Sequence, residues 1–261
     1  MVKKMTEQNN RGAQSENRDN IICGRNPVME AVKSGKEIDR LLIAHGVSGG
    51  SVSAITAKCA ARGILIKEIS PQKMDYFCGG ANHQGVAVML ASREYSTVEE
   101  ILDFAKEKGE DPFVVICDEI EDPHNLGAII RTAVCCGAHG IIIPKRRSAS
   151  LNMTVAKTSA GALEYMKVAR VTNIANTIDG LKEKGLWIFG ADMSGEDFRN
   201  TDYSVPCAIV IGNEGKGIGT LTAKKCDKII SLPMKGTLNS LNASVAAGIL
   251  MFEVMRKREA K

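Results

Sequence analysis

The 261-residue chain reads as an α/β protein, whose longer C-terminal part is a mostly parallel sheet covered on both faces. From Ile21 onward, short β-rich apolar runs alternate with stretches of helical periodicity. The run FVVIC, Phe113 to Cys117, is apolar without a break, the pattern of a strand buried on both sides. Polar, glycine-rich or proline-marked loops follow several of these runs, which is where α/β sheets hold their ligands.

Residues 1 to 19 are polar and aperiodic and read as a disordered tail. A small α/β unit is expected over residues 20–91. It opens with a strand from Ile21 to Gly24 and a helix started by Asn26-Pro27 and ended near Gly35. A strand from Leu41 to Ala44, a helix from Ser51 to Arg62 stopped by Gly63, and a strand from Ile64 to Ile69 come next. Pro71 to Phe77 reads as a short helix and Val86 to Leu90 as a strand. Residues 92–111 are charged, carry a helical pattern from Thr97 to Lys108, and read as a linker. Residues 112–261 form the second unit, with strands at Phe113 to Cys117, Gly140 to Ile143, Met166 to Val171, Leu186 to Ala191, Cys207 to Ile211 and Lys228 to Leu232. Its last segment, LPMKGTLNSLNASVAAGILMFE, becomes a helix on which Leu241, Val245, Gly248, Ile249 and Phe252 share one face. Ala243, Ala246, Ala247 and Gly248 keep that helix thin enough for another backbone to approach.

Composition narrows the function. Apolar content of 44% and charged content of 25% are those of a globular protein. No apolar run nears the about 20 residues that span a bilayer, and no apolar segment follows Lys3 and Lys4 as in a secretory signal, so a cytoplasmic protein is expected. The cysteines form no CxxC pair and several lie within apolar runs, as buried reduced thiols do. The histidines make no i, i+4 pair and lie near no cysteine at ligand spacing, so no metal is expected. A net charge of +4 permits an anionic partner. Of the local basic clusters, Arg256-Lys257-Arg258 reads as solvated surface.

Three strand-end segments carry the candidate chemistry. DEIEDPHNLGAIIRTA places Asn125 and Arg131 on one helix, either as a cap plus a surface arginine or as a functional pair. IVIGNEGKGIG has four glycines in eight residues after a strand, a backbone cradle for a ligand. It is neither a dinucleotide fingerprint, since Thr220 stands where glycine is required, nor a P-loop, since Ile218 follows Gly217. Glu214 at its centre repels a phosphate and suits a positively charged ligand. The third segment crowds Asn239, Ser240, Asn242 and Ser244 into one helix start, where free N–H groups await a partner.

NLGAIIR, IVIGNEGKGIG and LPMKGTLNSLNASVAAGILMFE, in this order, resemble the three motifs of the SpoU (TrmH) class of RNA 2′-O-ribose methyltransferases. IICGRNPVMEAV and NHQGVAV resemble the substrate-binding domain of its ribosomal RNA members, a fold similar to small RNA-binding ribosomal proteins. The resemblance is nearest to the 23S rRNA guanosine-2′-O-methyltransferase group. It implies a deep C-terminal trefoil knot, a homodimer, an RNA substrate, and S-adenosylmethionine as cofactor. It further implies a cofactor site at Gly212, Leu232 and Leu241, with Gly190, Ile211 and Met234 beside them. Asn125, Arg131, Glu214, Ser240 and Asn242 are the implied catalytic constellation, with Glu214 and Asn125 orienting Arg131. Arg25, Lys145, Arg146 and Arg147 are the expected RNA contacts. A transfer RNA methyltransferase and a non-catalytic RNA-binding or ribosome-assembly protein are the alternatives; the failed glycine tests disfavour a nucleotide-dependent oxidoreductase.

Overall fold

A computed structural model describes residues 20–237 and 240–259. The tail expected over residues 1 to 19, and Asn239 of the polar cluster, lie outside the described residues. The chain divides into two compact units.

The first comprises residues 20–94 with Ser150–Met153. Its strands are β1 (Ile21–Cys23), β2 (Ile38–Ala44), β3 (Leu65–Ile69) and β4 (Val86–Leu90), and its helices are α1 (Arg25–Lys33), α2 (Gly50–Ala61) and α3 (Pro71–Cys78). The sheet order is β1-β4-β2-β3, with β2 and β3 parallel and the other pairs antiparallel. Alternation along β2 sends Leu41 and Ile43 to one face, against Val28, Val32 and Ile55. Leu42 and Ala44 go to the other face, against Met74 and Cys78. Helices therefore cover both faces. The strand expected from Leu41 begins three residues earlier, because Ile38 is itself buried and pairs with Leu90.

The second unit comprises residues 95–149 and 154 onward. It contains β5 (Phe113–Cys117), β6 (Gly140–Pro144), β7 (Lys167–Val171), β8 (Trp187–Asp197), β9 (Cys207–Ile211) and β10 (Lys228–Ser231). Their order is β10-β8-β9-β5-β6-β7, and every neighbouring pair is parallel. The helices are α4 (Val98–Glu107), α5 (Pro123–Cys135), α6 (Met153–Thr158), α7 (Ile174–Glu183), α8 (Thr220–Lys225) and α9 (Ala243–Glu259). The helix expected within 92–111 forms as α4, closed at its start by a capping box between Thr97 and Glu100. Ile101 of α4 is fully buried in the second core, so this segment belongs structurally to the second unit.

Two elements of the second unit differ most from their sequence pattern. β8 runs on to Asp197, because after pairing Phe189 and Gly190 with Lys228 and Ile229 it leaves the ladder and rejoins it at Glu196 and Asp197. Of the residues expected to share one face of α9, Leu241, Val245, Ile249 and Phe252 lie outward, and Gly248 alone is turned toward α5. Val245, Ile249 and Phe252 are 50%, 40% and 48% exposed, while Ala243, Ala247, Leu250, Met251 and Val254 are buried. The buried face mixes small and large residues, and α9 comes close to α5 at Gly248, whose Cβ position lies 3.7 Å from Thr132 Cγ2.

The C-terminal basic cluster is not simply solvated. Arg256 pairs with Glu253 at 2.7 Å. The Arg258 guanidinium donates to four carbonyl oxygens, those of Tyr203 (3.2 Å), Asp111 (2.7 Å), Pro112 (3.0 Å) and Val205 (2.8 Å). One side chain thus ties the end of α9 to the segments that lead into β5 and β9. Arg258→Ala leaves those carbonyls short of a charged donor, and the second unit loses about 2–4 kcal/mol of stability. Urea unfolding followed by the fluorescence of Trp187, the protein's single tryptophan, measures it; Arg258→Lys recovers less than half, since a point charge does not replace a fork. All eight cysteines are free thiols, and Cys135, expected to be buried like the others, is exposed at the end of α5.

Candidate active site

The site is built where the strand order reverses direction, at the carboxyl ends of β5, β8, β9 and β10. After β9 the chain closes a tight hairpin: Asn213 N donates to Gly217 O (3.0 Å) and Gly217 N to Asn213 O (2.8 Å). The Asn213 side chain holds the turn, its Oδ1 accepting from Gly215 N (2.9 Å) and Lys216 N (3.3 Å). Its Nδ2 reaches Glu119 O (3.1 Å) on the loop after β5. Buried Asp118 adds a second tie, accepting from Gly219 N at 2.9 Å. The glycine loop is therefore pinned at both ends before any ligand arrives.

Gly212 explains why the motif needs glycine there. A Cβ at this position would lie 2.2 Å from Gly217 C and 2.3 Å from Ile218 N, inside the hairpin's own backbone.

A cavity of about 390 Å³ lies beside the hairpin. Ile211, Ile230, Leu232, Met234, Leu241 and Leu250 give it an apolar wall; Asp192, Asn213, Glu214, Lys216 and Ser240 supply its polar groups. A volume near the lower end of ligand sites, an apolar slot and few charged groups suit a nucleoside-sized ligand. One lysine among two carboxylates does not suit a polyphosphate.

At the rim, the three motif segments meet in one hydrogen-bonded cluster. Asn125, nearly buried at the start of α5, donates from Nδ2 to Glu214 Oε1 (2.8 Å). Asn242 donates from Nδ2 to Glu214 Oε1 (2.5 Å) and to Asn125 Oδ1 (2.9 Å). Ala243 N, in the first turn of α9, also donates to Glu214 Oε1 (3.2 Å). Asn242 Oδ1 caps α9 by accepting from Ser244 N (3.0 Å) and Val245 N (3.3 Å). Glu214 thereby puts a negative charge against the positive end of the helix dipole.

Of the expected site residues, Asn125, Glu214 and Asn242 come together, and Gly212, Ile211, Leu232, Met234, Ser240 and Leu241 line the cavity. Arg131 does not join them. It is exposed on α5 and makes no hydrogen bond or ion pair among the described residues. Six residues turn a helix by about 600°, which leaves Arg131 about 120° around from Asn125. Among the described residues, Glu214 Oε1 and the Asn125 amide are bonded to each other and to Asn242, not to Arg131. Gly190 is not on the cavity wall either. It is buried within the sheet, where a Cβ would meet Cys226 Sγ and Ile229 Cδ1 at 2.9 Å. Asp192 and Lys216 line the cavity and were not singled out from the sequence.

The expected RNA contacts divide. Arg25 is held within its unit, with Nε donating to Gln84 O (3.3 Å) and Nη1 to Ser51 Oγ (3.1 Å). Arg147 pairs with Glu119 at 2.8 Å, and both residues sit in the left-handed backbone region at φ 53 and 58. Non-glycine residues are rare in that region, and they cluster at functional sites. The Lys145 and Arg146 side chains have no bonded partner among the described residues. No group of three or more His, Cys, Asp or Glu side chains converges as a metal site among the described residues, and no helix among them is long and apolar enough to cross a membrane.

Comparison with known proteins agrees with this arrangement. Residues 112–252 match the model of the SpoU rRNA methylase family, and residues 21–96 match the model described as RNA 2′-O ribose methyltransferase substrate binding. YacO of Bacillus subtilis, named as a TrmH family tRNA/rRNA methyltransferase, is 49% identical over 91% of this chain and 95% of its own. The AdoMet-bound rRNA methyltransferase of Sinorhizobium meliloti is 28% identical, with a TM-score of 0.57 over 90% of this chain and 86% of that one. The SpoU methyltransferase AviRb of Streptomyces viridochromogenes, 24% identical, shares the fold with a TM-score of 0.59 over 92% and 91% of the two chains. With its family model covering more than half of its length and a relative this similar end to end, the chain belongs to the SpoU family of S-adenosylmethionine-dependent RNA methyltransferases.

Proposed function

We propose that this protein methylates the 2′-hydroxyl of a ribose in structured RNA, a guanosine of 23S ribosomal RNA. The observation that carries the reading is the Asn125–Glu214–Asn242 cluster, which gathers the three motif segments at the rim of an apolar, nucleoside-sized cavity. The cavity's residues fit S-adenosylmethionine: Ile211, Leu232, Met234 and Leu241 would take its apolar and aromatic parts, and Ser240 with the start of α9 would meet its methionine end. When bound, this cofactor supplies a methyl group on a positively charged sulfur, which leaves as a neutral thioether.

What remains to the protein is alignment and charge. The cluster fixes the start of α9 and the glycine loop, so that a ribose oxygen can approach in line. Arg131, whose guanidinium stays protonated and cannot act as a base, binds the adjacent phosphate and stabilises negative charge developing on the ribose oxygen. The hydroxyl proton then passes to phosphate or water.

Residues 20–91 act as the RNA-recognising unit, residues 92–111 connect it, and residues 112–261 are the catalytic domain. Lys145, Arg146 and Arg147 follow β6 at the same sheet edge as the site and are the basic residues offered to RNA there; Arg25 shapes the loops of the recognising unit. The protein acts as a homodimer with a C-terminal trefoil knot. The outward apolar stripe of Val245, Ile249 and Phe252 supports a second copy as its cover. An RNA substrate of this kind places the activity in the cytoplasm.

Mapping 2′-O-methylation in ribosomal and transfer RNA from cells lacking the protein tests the substrate. One 23S guanosine should lose its methyl group and regain it on complementation. Loss confined to a transfer RNA would move the assignment to the alternative substrate; an unchanged map would favour a non-catalytic role.

A further inference from the structure

Two carboxylates border the cavity, and Glu214 is tied into the motif cluster through Oε1, against the start of α9. The other, Asp192, stands where β8 leaves its ladder with β10. Gly190 is the last residue paired before the excursion and Glu196 the first after it, so Ala191–Gly195 swing out, and Ala191, Asp192 and Met193 become cavity wall. The return is tight: a Cβ on Gly195 would lie 2.5 Å from Ile229 C. The excursion is thus held in one place.

The Asp192 carboxylate is oriented by one of its oxygens. Oδ1 accepts from Ser194 N (3.0 Å) and from Ser194 Oγ (2.7 Å). Oδ2 accepts nothing among the described residues and faces the glycine loop, 3.2 Å from where a Cβ on Gly217 would stand. No cation among the described residues pairs with Asp192. A half-exposed anion with one fixed and one open oxygen, on the wall of a largely apolar cavity, is an acceptor awaiting a ligand's donors.

Three kinds of donor are available on an adenine nucleoside that carries an amino acid, and one of them, the exocyclic amine of the base, goes with the ring to the apolar wall. The ammonium group of the amino acid arrives with a carboxylate attached, which Asp192 would repel. A ribose diol brings two hydroxyl donors and no charge. The apolar wall of Ile211, Ile230 and Leu232 belongs to the strands that flank β8 and the residue just after β10, where a heterocycle joined to that ribose would lie. We infer that Asp192 holds the ribose hydroxyls of the cofactor and is a binding residue of the site. This rests on the reading of the cavity as the S-adenosylmethionine site.

The test is a titration of the full-length protein and of its Asp192→Asn variant, which keeps an acceptor for Ser194. The ligands are S-adenosylmethionine, S-adenosylhomocysteine, the 2′-deoxy and 3′-deoxy forms of S-adenosylhomocysteine, and a form lacking the amino group. A charge-assisted bond corresponds to about tenfold to a hundredfold in affinity. The variant should lose that factor for S-adenosylhomocysteine and for the amine-free form, and lose less than about threefold for the form lacking the hydroxyl that Asp192 holds. Its melting temperature without ligand should match that of the wild type. Equal losses for the ribose and both deoxyribose ligands overturn the inference, as does a loss that vanishes only when the amino group is absent. If the wild type binds neither S-adenosylmethionine nor S-adenosylhomocysteine, the reading of the cavity falls, and the role of Asp192 with it.

Discussion

Arg131→Ala should lower the single-turnover rate of methyl transfer by about a hundredfold to a thousandfold, the usual cost of removing one donor from a developing negative charge. Cofactor affinity should stay within about twofold, because Arg131 is not on the cavity wall. Arg131→Lys should be nearly as poor, since an ammonium does not replace a planar fork on a phosphate. Glu214→Gln removes charge from a cluster that it keeps intact and should cost about tenfold. Had Glu214 oriented Arg131, the two losses would overlap in the double variant. The carboxylate is bonded instead to Asn125, Asn242 and Ala243 N, so the losses should multiply. Single-turnover rates at saturating cofactor for the wild type and the variants decide this, and full activity of the lysine variant would remove Arg131 from the role.

Gly212→Ala should weaken S-adenosylmethionine binding by about a hundredfold or more, with a clear loss of thermal stability. The added Cβ would fall 2.2–2.4 Å from backbone atoms of Gly217 and Ile218, which cannot rotate aside as a side chain can. The hairpin must open, and with it one wall of the cavity. Gly215→Ala is the matched control in the same loop. Its Cβ would meet only Asn213 Oδ1, at 3.6 Å, an ordinary contact. Titration of both variants should find Gly215→Ala within about threefold of the wild type; equal effects would show that the loop is pliable.

The strands that build the second core were legible because burial on both faces leaves a continuous apolar run. Phe113–Cys117 and Cys207–Ile211 are expected and observed with the same bounds. The excursion of β8 was not legible. Nothing in WIFGADMSGED marks where pairing stops, since the register shift shows only against β10, between Ile229 and Ile230. Asp192 was missed for the same reason, although an acidic residue just past a strand's apolar run was a usable signal. The polar cluster at the start of α9 was legible as a ligand site or a cap, and Asn242 serves both sides: its oxygen caps the helix and its amide joins Glu214 and Asn125. The outward face of α9 could not be read, because Val245 and Ile249 satisfy the same periodicity whether they meet the core or another chain. Arg131 sits among apolar neighbours in sequence, yet each residue turns a helix by about 100°, which leaves Arg131 exposed beside buried Ile129, Ile130 and Ala133.

The product proposed for this site is a ribose whose 2′-oxygen carries a methyl group. Purified protein incubated with S-adenosylmethionine carrying an isotopically labelled methyl group and with 23S ribosomal RNA, followed by complete digestion to nucleosides and mass analysis, tests it directly. Label is expected in a 2′-O-methylated nucleoside, 2′-O-methylguanosine, and is expected to be absent with the Arg131→Ala variant. Label on a base, or none in any RNA while the protein binds S-adenosylmethionine, would contradict methyl transfer to a ribose.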